Sequence, residues 1–245
     1  MDRYKLIILL FLFIASPVHA GMMMMTGDGT SAACTDANPV GNCTGFLICQ
    51  NFETATTGWD NSETWSTGGT VDPVDTTPTL RGTQSCSIAN SSSISHATGG
   101  TYTELFAFAR YQFADSTPTA AVYIYKNMDG AADFGAVKLL TTGKLVCYHG
   151  TKTNTAESAL SDATTYYVWI HFVKGTGTDG EMTATVSTTR NPAEATAALG
   201  CSVKDGDDAD TNIDTVWFGN SAAGGAGVSV DQILVKTSSI GTVCE

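Results

Sequence analysis

The run Thr164-Thr165-Tyr166-Tyr167-Val168-Trp169-Ile170-His171-Phe172-Val173-Lys174 constrains the fold more than any other stretch of the chain. It is the densest concentration of β-branched and aromatic residues beyond the N-terminal apolar segment, which predicts a central β-strand. Val168, Ile170 and Phe172 alternate with Tyr167, Trp169 and His171. Successive side chains of a strand point to opposite faces, so the apolar set is expected in a core and the aromatic-polar set on the other face.

The same alternation recurs along the chain. Phe46 to Glu53, Leu80 to Ala89, Tyr102 to Phe113, Ala120 to Lys126 and Phe134 to Leu140 read as strands. So do Lys144 to His149, Glu181 to Thr188, Thr215 to Phe218 and Val228 to Lys236. Turn residues punctuate them at Arg81-Gly82, Asn127-Met128-Asp129-Gly130, Thr142-Gly143 and Gly175 to Gly180. Asn191-Pro192-Ala193-Glu194 supplies an N-cap and a proline at the first helical position, which predicts one short helix through Leu199. Thr54 to Pro78 is polar, with room for one short strand. Ten or more strands with nearly no helix predict an all-β fold, an antiparallel β-sandwich of jelly-roll type.

Residues 1–20 carry a basic start, a short apolar run and small residues at Val18 and Ala20, the pattern of a secretory signal peptide cleaved near Ala20. Residues 21–44 are expected as a flexible leader, with four consecutive methionines, and 45–245 as one sandwich domain. A secreted, extracellular or periplasmic location follows, and no further segment is long and apolar enough for membrane insertion. The formal net charge of −12 argues against nucleic acid as a partner.

All seven cysteines (34, 43, 49, 86, 147, 201, 244) follow the signal segment, so disulfides are expected. Cys34–Cys43 and Cys147–Cys201 are the pairings we test. An odd number leaves one thiol free or in an intermolecular disulfide, with Cys34 and Cys244 the candidates.

The order of these features resembles the concanavalin A-like (laminin G-like) jelly-roll superfamily. The resemblance rests on Asn51-Phe52-Glu53 with Gly58-Trp59, Leu80-Arg81-Gly82-Thr83-Gln84-Ser85, the hairpin Val137 to Tyr148, Leu160 through Trp169, and Val230-Asp231-Gln232-Ile233. It spans residues 45–237. The galactose-binding-like jelly roll shares the early Phe-Glu and the late Asp and is the alternative fold. In both families a structural calcium can be held by carboxylates at the positions of Glu53 and Asp231 together with loop carbonyls, because calcium takes six to eight oxygens. The acidic stretch Asp205 to Asp214 spaces Asp208, Asp210, Asn212 and Asp214 two apart but lacks the glycine and the late glutamate of an EF-hand.

Trp169, His171, Tyr123, Tyr125, Arg110 and Tyr148 occupy positions opposite the expected core residues. On one sheet they would line a face able to stack on sugar rings and bind hydroxyl groups. That is how members of the resembling superfamily commonly hold glycans. A secreted, non-catalytic glycan-binding or adhesive domain is therefore the first functional expectation. A polysaccharide lyase or hydrolase is the second, although the clustered Glu-x-Asp-x-x-Glu of the superfamily's hydrolases is missing. A structural subunit of a surface layer or filament is the third, from the odd cysteine and the methionine-rich leader.

Overall fold

The computed structural model describes residues 43, 45–53, 59, 63–130, 132–175, 177, 179–206, 212–220, 227–241 and 243. Their strands in chain order are β1 (Ile48–Gln50), β2 (Ser66–Gly68), β3 (Val71–Asp75), β4 (Ser85–Ile88), β5 (Ser92–Tyr102), β6 (Glu104–Phe113), β7 (Val122–Asp129) and β8 (Ala132–Leu139). They continue as β9 (Lys144–His149), β10 (Lys152–Ala159), β11 (Thr165–Val173), β12 (Gly180–Ser187), β13 (Cys201–Gly206), β14 (Ile213–Asn220) and β15 (Val228–Lys236). One sheet runs β13-β12-β11-β6-β15-β4-β3, with β1 also paired to β15, and we call it the front sheet. The back sheet runs β10-β9-β8-β7-β14-β5-β2. All pairings are antiparallel, and the chain crosses repeatedly between the two sheets. This is the jelly-roll β-sandwich that the alternation predicts.

Strand β11 sits inside the front sheet between β6 and β12. Val168, Ile170 and Phe172 are fully buried in the core between the sheets, with Ala107 and Ala109 of β6 and Ile124, Val137 and Phe218 of the back sheet. Burying such side chains stabilises by about 1.5–3 kcal/mol each. The Cys147–Cys201 disulfide ties β9 of the back sheet to β13 of the front sheet across this core. Its pairing is the expected one.

The other expected pairing is overturned. Cys43 is bonded to Cys49, six residues away, so it cannot pair with Cys34. Among the described residues Cys86, buried on β4, carries a free thiol that the sequence did not single out. Cys34, Cys244, the methionine run and Asp208 and Asp210 lie outside the described residues.

The predicted short helix is two 3₁₀ turns, Pro192–Glu194 and Ala197–Leu199. The Asn191 side chain caps the first by accepting from the Ala193 amide. Ala195 and Gly200 fall back to extended backbone, which stops either turn from growing. Strands β2, β3, β5, β10 and β13 were not expected, or only as one strand between 54 and 78. Ser, Thr and Gly dominate β2 and β5, and β10 has only two alanines as apolar residues, so hydrophobic alternation is faint there.

Candidate functional site

The six aromatic and polar candidates do not share a face. Tyr123 and Tyr148 lie on the outer side of the back sheet, whereas Arg110, Trp169 and His171 lie on the outer side of the front sheet. Tyr125 lies on neither outer side and is fully buried in the core. The reason is a register shift between Tyr123 and Tyr125 against β8: Tyr123 pairs with Lys138, but Tyr125 pairs with Val137. One extra residue on a strand reverses inward and outward beyond it. The Tyr125 hydroxyl donates to Asn127 Oδ1 at 2.5 Å, and burial pushes its pKa far above the usual phenol value.

The outer front sheet is closed by the ends of the described chain. Trp169 and Tyr167 are buried with Phe108, Leu234, Cys49, Ile240 and Val243 in a second apolar cluster. Trp169 Nε1–H donates to Gly241 O at 3.1 Å, and the Val243 amide donates to Arg190 O, so the C-terminal segment is pinned over the sheet. His171 is half-exposed at its edge, stacked on Phe106 at 4.2 Å and paired with Glu104 at 2.8 Å. A pocket of about 220 Å³ remains between Trp169, His171, Phe106, Pro192 and Ile240. Arg110 is buried; its Nε donates to Gln232 Oε1, its Nη1 to Leu80 O, and its guanidinium lies over Tyr167.

The outer back sheet is built differently. Strand register places Ser66, Ser95, Trp217, Lys126, Ala136, Tyr148 and Thr153 in one row across all seven strands. A second row holds Tyr123, Lys138, Val146 and Thr155. The two rows interlock into a ladder of rings and ammonium groups. Lys126 Nζ lies 4.6 Å from the Trp217 centroid and 4.8 Å from that of Tyr123. Lys138 Nζ lies 4.2 Å from both the Tyr123 and the Tyr148 centroids. Trp217 meets Tyr123 edge-on at 6.3 Å. The order across the face is thus Trp217, Lys126, Tyr123, Lys138, Tyr148. Tyr123, Lys126, Lys138 and Tyr148 are half-buried and Trp217 is buried, 8% exposed; each ring–cation contact contributes about 0.5–1 kcal/mol or more. Sequence reasoning located Tyr123 and Tyr148 and missed Trp217, Lys126 and Lys138. The Thr215-Val216-Trp217-Phe218 alternation could have shown Trp217, since Val216 and Phe218 are core. Lys138 could have been found from the hairpin register around Gly143.

Glu53 and Asp231 gather at a third place, because β1 pairs with β15 as neighbouring first and last strands. Asp231 is fully buried. Its Oδ1 accepts from the Gln232 amide at 2.6 Å, while Oδ2 is buried without a hydrogen-bond partner. Burial raises its pKa well above the carboxylate range. Arg110 and the Gln232 amide oppose that rise, Glu53 adds to it, and Arg81 again opposes it. Gln232 takes φ 48° where the register slips by one residue between Asp231 and Leu234. The Glu53 carboxylate accepts from the Thr83 amide at 3.1 Å and the Thr83 hydroxyl at 2.7 Å, and it packs on Gly82, which has φ +62° and no room for a Cβ. Among the described residues no three His, Cys, Asp or Glu side chains converge on one point, so a cation here would need backbone or amide oxygens as well.

No protein-family model matches this chain, and no curated protein matches it in sequence. Solved structures do match in fold. The chain is similar to a cellulose-induced protein, Cip1, with a TM-score of 0.58 and 16% identity over 80% of this chain and 100% of that one. It is similar to the receptor-binding domain of a botulinum neurotoxin of mosaic serotype C/D, with a TM-score of 0.53 and 11% identity over 80% of this chain and 48% of that one. It is also similar to the Trypanosoma rangeli sialidase solved with sialic acid, with a TM-score of 0.55 and 9% identity over 78% of this chain and 30% of that one. The chain thus spans about half of the neurotoxin domain's length and less than a third of the sialidase. At these identities the likeness is one of fold.

Proposed function

We propose that this chain is a secreted, non-catalytic glycan-binding domain of the concanavalin A-like kind, whose binding face is the outer back sheet. The observation that carries the reading is the ladder of Trp217, Tyr123 and Tyr148 interleaved with Lys126 and Lys138. Aromatic faces accept the C–H faces of sugar rings, and ammonium groups together with the hydroxyls of Ser66, Ser95, Thr153 and Thr155 bind sugar oxygens. None of the positions in the two rows is Asp or Glu, so these rows supply no carboxylate pair for glycoside hydrolysis. Two intramolecular disulfides belong to an oxidising compartment, which agrees with export. No helix among the described residues is long and apolar enough to cross a membrane.

The reading is tested by glycan binding of the intact protein and of Trp217→Ala. The wild type is expected to bind and Trp217→Ala to lose at least tenfold in affinity; because Trp217 is largely buried, Tyr148→Ala, at a half-buried ring, is measured beside it and is expected to lose affinity while keeping its melting temperature. A protein that binds no glycan, or a Trp217→Ala variant that binds as well as wild type, refutes it.

Calcium belongs to the same proposal. The unpartnered, buried Oδ2 of Asp231 beside the Glu53 carboxylate fits a hard cation that takes oxygen ligands. Glu53 and Asp231 would hold it with nearby carbonyls, joining the segment after β1 to the last strand. The Arg81 and Arg110 guanidiniums in the same cluster lower the net negative charge and thereby the expected affinity. A chelator that leaves the melting temperature unchanged removes calcium from the proposal without touching the ladder.

A further inference from the structure

Strand β10 ends the back sheet and β13 ends the front sheet, and the two edges lie together on one side of the sandwich. The Ser202 amide of β13 donates to Asn154 Oδ1 of β10 at 3.3 Å, and the Cys147–Cys201 disulfide joins the same two regions. A cleft of about 530 Å³ opens there, more than twice the volume of the pocket beside Trp169. Ligand clefts usually measure about 300–1,000 Å³. Strand β10 contributes Asn154, Thr155 and Glu157, β12 contributes Thr183 and Thr185, and β13 contributes Ser202. The 3₁₀ turns add Ala195, Thr196 and Ala197, and the Thr196 amide fastens them to β12 by donating to Val186 O. Cys201 itself lines the cleft, so the disulfide fixes part of the wall and less order is lost when a ligand enters.

The hydrogen bonds of the lining have a definite direction. Thr183 Oγ1 lies 2.9 Å from Glu181 Oε1, and a carboxylate only accepts, so the threonine proton goes there. A hydroxyl has one proton. Ser202 Oγ, 2.9 Å from Thr183 Oγ1, is therefore the donor of that second pair and has only lone pairs left for a ligand. Glu157 is likewise an acceptor, and among the described lining residues it alone carries a charge. Asn154 adds Nδ2–H donors beside its engaged Oδ1. Ala184, Val186 and the threonine methyls supply apolar surface, and no aromatic ring takes part. A matching ligand brings hydrogen-bond donors, some acceptors and C–H surface, and no negative charge. Those are the properties of an uncharged sugar. A carboxylate or sulfate offers acceptors to Ser202 Oγ and meets the like charge of Glu157.

The cleft is also continuous with the outer back sheet. Thr155 belongs both to the second row of that face and to the cleft lining. Tyr148 stands on the neighbouring strand β9, about 4.8 Å from β10. Resting on the glycan reading above, we infer that the cleft is a second carbohydrate subsite, which takes uncharged sugar units of a polysaccharide chain that passes from Tyr148 over β10. A chain long enough to engage both parts gains affinity because its second contact is intramolecular.

The experiment is a calorimetric titration of the full chain with cello-, xylo-, manno- and laminari-oligosaccharides from disaccharide to octasaccharide, with oligogalacturonates as the anionic comparison. Wild type is compared with Ser202→Ala, which removes the accepting hydroxyl, with Ala197→Leu, which fills the cleft from an exposed position, and with Tyr148→Ala on the face. Melting temperatures check folding. At least one neutral series should gain tenfold or more in affinity from its shortest to its longest member. Both cleft variants should abolish that gain, and Tyr148→Ala should weaken the long members as well. Oligogalacturonates should be insensitive to the cleft variants. An affinity independent of length, or long oligomers bound by either cleft variant as tightly as by wild type, overturns the cleft subsite and leaves the glycan reading standing. Oligogalacturonates that lose as much as the neutral series overturn the uncharged assignment. No binding of any member overturns both readings.

Discussion

Tyr123 and Tyr125 stand two residues apart on one strand, and an unbroken strand would place them on the same face. The register shift instead places Tyr123 on the ladder and Tyr125 in the core, and substitution separates the two roles. Tyr125→Phe keeps the ring against Phe218, 5.3 Å away, and removes only the hydroxyl that donates to Asn127 Oδ1. Asn127 is buried and its Nδ2 already lacks a hydrogen-bond partner, so the change leaves its carbonyl unpaired as well. Leaving such a group unsatisfied costs about 1–3 kcal/mol. For a domain of this size that lowers the melting temperature by about 2–12 °C. Glycan affinity should be unchanged. Tyr123→Ala removes a half-exposed ring and its two ammonium contacts, about 1–2 kcal/mol at most. Its effect should fall mainly on binding, which should drop tenfold or more. Chemical denaturation with a common m-value and a parallel binding titration read both quantities. A Tyr125→Phe variant with wild-type stability and weakened binding would place Tyr125 on the outer face and refute the bulge argument.

Three further outcomes are expected. Removing the Cys147–Cys201 bridge, which closes a separation of 54 residues, should cost about 4 kcal/mol on the chain-entropy model, whereas removing Cys43–Cys49, with a separation of 6, should cost about 2 kcal/mol; denaturant titration of the paired Cys→Ala variants checks the ranking. Burial, and after it Asp72, Asp231 and Asp75, hold the Cys86 thiol pKa well above its usual value, so peptide mapping after alkylation should find Cys86 unmodified in the native protein and modified once it is unfolded. The Ser116 hydroxyl and amide hold Asp162 below the usual carboxylate range, so its contribution is present above the unfolded pKa and lost as pH falls through the folded one; Asp162→Asn should flatten the acid limb of a stability–pH profile, and an unchanged limb would contradict that assignment.

What the sequence made legible follows from where its physical signals are strong. Val168, Ile170 and Phe172 are core because three strong apolar side chains at period two leave a strand no other way to lie, and no later detail reverses that. The sandwich itself follows from many such runs separated by turn residues. The face of Trp169 was equally legible, and it does point away from the core between the sheets. Its accessibility was not legible, because that depends on Ile240 and Val243, about seventy positions later, with the Cys43–Cys49 loop completing the cover. Tyr125 was misplaced for a different reason: a single inserted residue costs little in sequence pattern yet inverts every side chain beyond it.

Lysine charge at positions 126 and 138 carries no period of its own. Only register across β14, β7, β8 and β9 brings the two ammonium groups between the three rings. The proposed binding face is therefore not the front sheet, where the strongest strand lies, but the outer side of the back sheet. A central strand such as β11 gains most from being covered on both sides, and its outer aromatics are consumed by packing. On the back sheet each ammonium lies over two rings, and Tyr123 and Tyr148 stay half-buried there while Trp217 is buried, 8% exposed.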